Sequence, residues 1–229
     1  MRTTLSILVL FLLSAGCSPG DRASLPARAA APVPPPAPAP AATPEDTEPL
    51  VVFLGDSLTA GYGLGGEQAY PALVEKRLEE EGIPVKVLNA GVSGDTTAGG
   101  LARLDWLLSQ KPDVVVVGLG GNDGLRGLPL EQADHNLREI VRRAKAAGAR
   151  VLLLGMQIPP NYGPEYAKGF SDMYPNLAKE MDVPLVPFLL EGVGGVADLN
   201  QADGIHPTAK GQEKVAELVT PYVAEVLAD

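Results

Sequence analysis

The sequence predicts an α/β domain of three layers, in which helices cover both faces of a five-stranded parallel sheet. Five short, continuous apolar runs occur after residue 50, as expected of strands that are buried on both faces. Each run is followed by a longer stretch with the amphipathic period of a helix. Residues 50–229 leave about 180 positions, which suits one domain with a sizeable core. Regular alternation of strand and helix is typical of a parallel sheet.

The elements follow one another as five strand–helix pairs. The first strand is the run Leu-Val-Val-Phe-Leu at 50–54, and a glycine-rich loop separates it from the first helix. The later strands are similar apolar runs, and the later helices share a 3–4-residue apolar spacing. The predicted pairs are 50–54 with 69–81, 85–88 with 97–108, 113–117 with 130–147, 151–154 with 165–181, and 184–188 with 208–227.

Composition excludes several classes of function. The 18 basic and 28 acidic residues give a net charge of −10, which argues against a nucleic-acid partner. Two histidines and one cysteine cannot assemble a multi-histidine or cysteine-rich zinc site, and a single cysteine cannot form an internal disulfide.

Residues 1–16 have the features of an export signal. Arg2 precedes an apolar run at 5–13 that is too short to span a bilayer, and small residues lead into Cys17. The segment resembles a bacterial lipoprotein signal, in which the cysteine becomes the lipidated first residue, although Ser14 stands where an aliphatic residue is usual. The resemblance implies lipid attachment at Cys17. An ordinary secretory signal with an unrelated cysteine is the alternative.

Residues 17–49 are predicted to be a disordered tether. The stretch is rich in alanine and proline and has almost no large apolar side chain, so it cannot build a core. A polyproline II chain of this length could reach roughly 100 Å at about 3.1 Å per residue. Ser18 follows the cysteine, and by resemblance to lipoprotein sorting we expect the periplasmic face of the outer membrane. The alternative to this location is a soluble periplasmic or secreted protein. The alternative to a tether is a proline-rich segment that binds a partner domain.

Candidate functional residues follow the strands, because parallel sheets bind ligands beyond the carboxyl ends of their strands. Ser57 lies in Gly-Asp-Ser-Leu after the first strand, where a hydroxyl would lie near the first turn of a helix. Gly91 follows the second strand, and its N–H could approach an oxyanion closely. Asn122 follows the third strand in Gly-Gly-Asn-Asp. Taken singly, each is also explained as a helix cap or a turn.

The last strand is followed by Asp203-Gly-Ile-His206-Pro, directly before the final helix. A carboxylate three residues before an imidazole can hold its Nδ1–H and leave Nε2 free as a base. His135 is the other histidine, and its place on a helix opposite the apolar face predicts a surface residue.

Together these four motifs resemble the SGNH, or GDSL, hydrolase family over essentially all of residues 50–229. The bacterial thioesterase, arylesterase and lysophospholipase branch is the most similar, because it shares Ser93-Gly-Asp-Thr and Gly124-Leu-Arg-Gly. The resemblance implies a flavodoxin-like SGNH fold with Ser57 as nucleophile, His206 as base and Asp203 as its partner. It also implies that the oxyanion donors are the Ser57 and Gly91 N–H groups and the Asn122 amide.

The implied activity is hydrolysis of a thioester or of a small-molecule carboxylic ester, through an acyl-Ser57 intermediate. The ester could be an aryl ester, an ester of a short-to-medium acyl chain or a lysophospholipid. The resemblance implies no cofactor and no metal, and we expect a monomer. Four residues could line an acyl site or simply pack their loops: Leu125, Leu128, Ile158 and Pro159. Within enzymes the alternative is a deacetylase of cell-wall or other polysaccharide, and outside them it is a non-catalytic, tethered binding lipoprotein. A dinucleotide site at Gly61–Gly66 is disfavoured because its Gly-x-Gly-x-x-Gly begins well after the strand.

Overall fold

A computed structural model of the protein describes residues 48–228. The predictions for the signal segment 1–16, for Cys17 and for the tether up to residue 47 lie outside the described residues and stay predictions. Among the residues described, no helix is both long enough and apolar enough to cross a bilayer.

Five parallel strands form one sheet, as predicted. The strands are β1 (Leu50–Gly55), β2 (Lys86–Gly91), β3 (Val114–Gly118), β4 (Arg150–Leu154) and β5 (Leu185–Val186). Their order in the sheet is β2-β1-β3-β4-β5, so β3 lies on the other side of β1 from β2, and β4 and β5 follow outward. The central strands are almost entirely buried, whereas β2 is a partly exposed edge strand.

Helices cover both faces of this sheet. The α-helices are α1 (Ser57–Ala60), α2 (Tyr70–Glu80), α3 (Thr97–Leu108), α4 (Gly121–Leu125), α5 (Leu130–Ala146), α6 (Pro164–Met181) and α7 (Ala209–Ala228). One face carries α2 packed against α7, and the other carries α3, α5 and α6 in succession. Three short 3₁₀ turns lie at Gly66–Gln68, Pro160–Tyr162 and Ala197–Leu199.

Burial follows the predicted pattern on α5. The helix turns its apolar side to the core, while His135 on the opposite side is exposed, as predicted. The buried apolar residues of this face are Ala133, Leu137, Ile140, Val141 and Ala144.

The structure differs from the predicted elements in three ways. The short helices α1 and α4 were not predicted, because four or five residues are too few to show a helical period. Strand β2 continues to Gly91, three residues beyond its predicted end, since Gly91 pairs with Gly55 of β1. Strand β5 is conversely shorter than predicted, with two residues.

Candidate active site

Ser57 is the first residue of α1, directly beyond the carboxyl end of β1. Asp56 caps the helix, because its Oδ1 accepts a hydrogen bond of 3.0 Å from Leu58 N–H. Gln212 of α7 holds the same turn from the other side by donating to the Leu58 carbonyl over 3.2 Å. A side chain at Gly55 would collide with Thr59, so the chain can turn this sharply only with glycine there.

His206 lies between Ser57 and Asp203, although it is 149 residues away from the serine in the chain. Its Nε2 is 2.8 Å from Ser57 Oγ, and its Nδ1 is 2.7 Å from Asp203 Oδ2. The structure therefore brings the three predicted groups into one chain of hydrogen bonds. With Nδ1 protonated, Nε2 has a lone pair directed at the serine hydroxyl.

Asp203 is held in place mainly by backbone. Its Oδ1 accepts hydrogen bonds from His206 N–H at 3.0 Å and Ile205 N–H at 2.9 Å. The backbone bond from His206, then the imidazole itself, lower the pKa of Asp203 to about 2. The carboxylate stays ionised at neutral pH and can hold the imidazole through Nδ1–H.

Asn122 lies in the first turn of α4, and its side chain reaches toward both neighbouring loops. Its Nδ2 donates to the Asp95 carbonyl at 2.9 Å and to Asp56 Oδ2 at 3.2 Å. Since Asp56 is adjacent to Ser57, these bonds place the amide beside the nucleophile.

Gly91 occupies a different position from the one predicted. It is the last residue of β2, and its N–H donates to Asn89 Oδ1 over 3.0 Å. A Cβ at this position would meet the backbone of Ala60, so Gly91 packs behind α1. This geometry argues against Gly91 as an oxyanion donor, because its hydrogen is already in use.

The loop at the end of β2 is instead 92–96, and Gly94 is its glycine. Gly94 has a φ of 81°, a left-handed conformation that favours glycine. Its carbonyl accepts a hydrogen bond of 2.8 Å from Arg126, and no acceptor for its N–H is found among residues 48–228. The carbonyl of the following residue, Asp95, accepts a hydrogen bond from the Asn122 side chain, so Gly94 lies beside the Asn122 amide.

Asp56 and Asp123 hold loops by accepting hydrogen bonds. Asp123 accepts from the N–H of Thr97 at 2.9 Å and from its hydroxyl at 2.7 Å. Asp56 is 2% exposed, and burial raises its pKa to about 6 against the opposing effect of the Leu58 N–H.

Tyr62 contributes an aromatic contact that the sequence did not reveal. Its ring lies 4.5 Å from the His206 ring, at an interplanar angle of 37°. Gln201 connects the two loops by donating to the Tyr62 carbonyl at 2.7 Å while its own N–H bonds the His206 carbonyl, also at 2.7 Å. Only the tertiary fold brings residue 62 to residue 206.

An apolar cavity of about 340 Å³ opens beside the catalytic groups. Leu58 and Gly121 border it next to Ser57 and Asn122, and Ile205 borders it next to His206. None of the lining side chains is charged. Of the four predicted acyl-site residues, Leu125, Ile158 and Pro159 line the cavity and Leu128 does not; Met156, Phe188 and Leu190 were missed. Within residues 48–228, no cluster of three or more metal-binding side chains is present.

Comparison with known proteins agrees with this geometry. The GDSL-like Lipase/Acylhydrolase family matches residues 53–214. Esterase TesA of Pseudomonas aeruginosa is 51% identical over 178 residues, which cover 77% of this chain and 89% of that protein. The chain belongs to this family.

Two further family members show how widely the likeness extends. Thioesterase 1/protease 1/lysophospholipase L1 of Escherichia coli K12 is 46% identical over 168 residues, 73% of this chain and 79% of that one. The psychrotrophic esterase EstA from Pseudoalteromonas sp., in a structure inhibited by monoethylphosphonate, superposes with a TM-score of 0.75 at 35% identity. That superposition covers 80% of this chain and 100% of the other. The five-stranded parallel sheet and its flanking helices are therefore the SGNH hydrolase fold.

Proposed function

We propose that this protein is a serine esterase that hydrolyses carboxylic esters or thioesters of short-to-medium acyl chains through an acyl-Ser57 intermediate. The observation that carries the proposal is the continuous chain of hydrogen bonds from Ser57 Oγ through His206 to Asp203. The names of the relatives, esterase and thioesterase among them, support the same reaction class.

In the first half-reaction, His206 Nε2 takes the proton of the Ser57 hydroxyl as Oγ attacks the acyl carbonyl carbon. The carbonyl π electrons move to oxygen, and a tetrahedral oxyanion forms. When this intermediate collapses, the bond to the leaving oxygen or sulfur breaks, and His206 returns the proton to the departing alcohol or thiol.

Water completes the cycle. His206 removes a proton from water, and the resulting hydroxide attacks the acyl-Ser57 carbonyl. Collapse of the second tetrahedral intermediate releases the carboxylic acid, and the proton on Nε2 returns to Ser57 Oγ. Asp203 stays ionised throughout and stabilises the imidazolium that forms twice per cycle.

The oxyanion needs hydrogen-bond donors that already point at it. The Ser57 N–H is available because the first N–H groups of a helix have no partner within it. The Asn122 amide can exchange its longer bond, the 3.2 Å contact to Asp56, for one to the oxyanion while Asp95 keeps it in place. We assign the third donor to the N–H of Gly94 in place of Gly91. One such donor is worth about 2.7–4 kcal/mol in the transition state.

The cavity favours an acyl chain over a sugar. The lining has no charged side chain and only two polar ones, Gln157 and Asn200, which suits an alkyl group, whereas a polysaccharide deacetylase needs a cleft rich in hydrogen-bonding groups. Its volume is at the small end of the usual range for ligand sites, about 300–1,000 Å³. This supports short-to-medium acyl chains as substrates, with the polysaccharide deacetylase as the less favoured alternative.

A fluorophosphonate probe tests the proposal. It should label the wild-type protein once, at Ser57, and Ser57→Ala should abolish both the labelling and the hydrolysis of p-nitrophenyl butyrate. His206→Ala should abolish hydrolysis too, because His206 is the base that accepts the serine proton. Labelling or turnover that survives in Ser57→Ala would overturn the mechanism.

We propose further that the enzyme is exported, anchored through lipid on Cys17 and held at the periplasmic face of the outer membrane, where it acts as a monomer. The signal-like segment before Cys17 and the alanine- and proline-rich stretch after it support the anchor. A soluble periplasmic or secreted enzyme is the alternative. A monomer suffices for the proposed chemistry, because Ser57, Asn122, Asp203 and His206 meet within one chain.

A further inference from the structure

Arg103 forms a half-buried ion pair that connects the loop after β2 with the end of β1. Arg103 of α3 donates from Nε to Asp95 Oδ2 over 2.8 Å and from Nη2 to the Gly55 carbonyl over 3.0 Å. The two side chains are only 24% and 12% exposed. Gly55 ends the strand that leads into Ser57, and Asp95 lies in the loop after β2. One guanidinium thus fixes the spacing between two loops of the active site.

Asp95 passes this contact on to a third loop. While its carboxylate binds Arg103, its backbone carbonyl accepts the 2.9 Å hydrogen bond from Asn122 Nδ2. Asn122 in turn contacts Asp56, which follows Gly55 directly. The contacts therefore close into a ring that runs through Gly55, Arg103, Asp95, Asn122 and Asp56.

The shape of arginine suits this position. Its planar guanidinium offers several donors in fixed directions, so it can bond a carboxylate and a carbonyl on different loops at once. A lysine offers one compact charge on a flexible stem and would not hold both acceptors in the same geometry. The pair with Asp95 is more than a surface ion pair, because both partners are largely shielded from water.

We propose that Arg103 is a positioning residue for the oxyanion hole: it holds Asp95, and through the Asp95 carbonyl it holds the Asn122 amide where the oxyanion forms. The proposal rests on the proposed function, in which Asn122 donates to that oxyanion. Donors to a developing charge are effective only when they are already in place, and misplacement by about 1 Å can cost roughly a hundredfold in rate.

Steady-state kinetics with p-nitrophenyl butyrate tests this role. Arg103→Met, which keeps the side-chain bulk, should lower kcat by about tenfold to a hundredfold and leave KM within about twofold. Arg103→Lys should restore part of the loss. In the double variant with Asn122→Ala, kcat should be no lower than in Asn122→Ala alone, because the two changes disable the same donor.

Arg138→Met is the matched control. Like Arg103, Arg138 bonds two acceptors, here the carboxylates of Asp134 at 2.6 Å and Glu180 at 2.7 Å, but these lie on α5 and α6, outside the candidate site. The kcat of Arg138→Met should therefore equal that of the wild type. All variants are assayed at a temperature where circular dichroism shows them folded, and Arg103→Lys and Asp95→Asn report on the ring if Arg103→Met does not fold.

Three results would overturn the role of Arg103. These are a wild-type kcat in Arg103→Met, a double variant in which the two losses multiply, and an Asn122→Ala variant that is fully active. Failure of the proposed function is a separate outcome, since it would appear as turnover in Ser57→Ala. An inactive Ser57→Ala beside a fully active Arg103→Met would reject the positioning role alone.

Discussion

Asn122 shows how a single side chain can be held in place by the protein and still be available to a substrate. One of its N–H bonds is short and goes to a backbone carbonyl, while the other is longer and goes to Asp56. The first bond fixes the plane of the amide, and the second, which is longer, can be exchanged for one to the oxyanion. The oxyanion gains charge as the transition state forms, whereas the charge on Asp56 does not change, so the exchange is more favourable in the transition state than in the ground state.

For that reason Asn122→Ala should reduce kcat by about 10²–10³-fold and leave KM nearly unchanged. The interaction is made in the transition state and contributes little to binding of the ground state. Steady-state kinetics on p-nitrophenyl butyrate measures both constants. A normal kcat with a large increase in KM would instead assign Asn122 to substrate binding.

Asp56 caps the helix that carries Ser57, but its buried carboxylate lowers the free energy of unfolding at neutral pH. Burial raises its pKa to about 6, so between about pH 4 and pH 6 the folded protein binds more protons there than the unfolded chain does. Its contribution to the free energy of unfolding therefore falls as the pH rises through this window and is constant above it. The shift corresponds to a cost on the order of 2–3 kcal/mol at neutral pH.

Comparison with Asp56→Ser isolates this effect. Serine keeps an oxygen that can cap α1 but has no group that titrates in this range. The free energy of unfolding of the variant, relative to that of the wild type, should increase between pH 4 and pH 7. Urea denaturation at several pH values measures the difference, and two parallel curves would contradict the raised pKa.

At the scale of elements, the position of Ser57 depends on how α1 packs against β2. Gly91 lies at this contact, where a Cβ would meet the backbone of Ala60. Backbone cannot move aside as a flexible side chain can, so the helix that carries the nucleophile must shift if Gly91 acquires a side chain.

Gly91→Ala should therefore lower the free energy of unfolding by about 1–3 kcal/mol, as expected for overpacking. Gly66→Ala is the matched control, because a Cβ there meets nothing within 4 Å and its φ is not positive. Its stability should be unchanged or slightly higher. Urea denaturation compares the two, and equal stability of both variants would reject the tight contact with α1.

At the scale of the whole molecule, the proposed anchor and the catalytic domain have separate roles. Every group of the proposed site lies between residues 55 and 206, whereas the proposed lipid site is residue 17. Catalysis should therefore not require the lipid.

Cys17→Ser should move the protein from the membrane to the soluble fraction, or leave its signal uncleaved, with no change in specific activity. More than one acyl chain is needed for stable anchoring, which the chains of a bacterial lipoprotein would supply. Labelling with radioactive palmitate and partitioning between detergent and water measure the outcome. A wild-type protein that takes up no label and stays in the aqueous phase would be a secreted enzyme.

The sequence alone determined the order and type of the long elements. The apolar runs of β1, β3 and β4 and the amphipathic stretches of the five long helices predicted both ends of each element to within one residue. Ser57 and Asn122 could be chosen because motifs just after strands meet at one edge of a parallel sheet. Asp203 and His206 could be chosen because a carboxylate three residues before an imidazole can hold its Nδ1–H. These signals are local, so a linear reading finds them.

The tertiary structure decided the contacts that no local sequence pattern encodes. Pairing with β1 extends β2 to Gly91, which removes Gly91 from the loop and leaves Gly94 as the glycine beside Asn122. Arg103 lies in an ordinary helical stretch, and only folding brings it to Gly55, 48 residues earlier in the chain. The motifs could thus be found in the sequence, but the distances among them depend on how strands pair and helices pack.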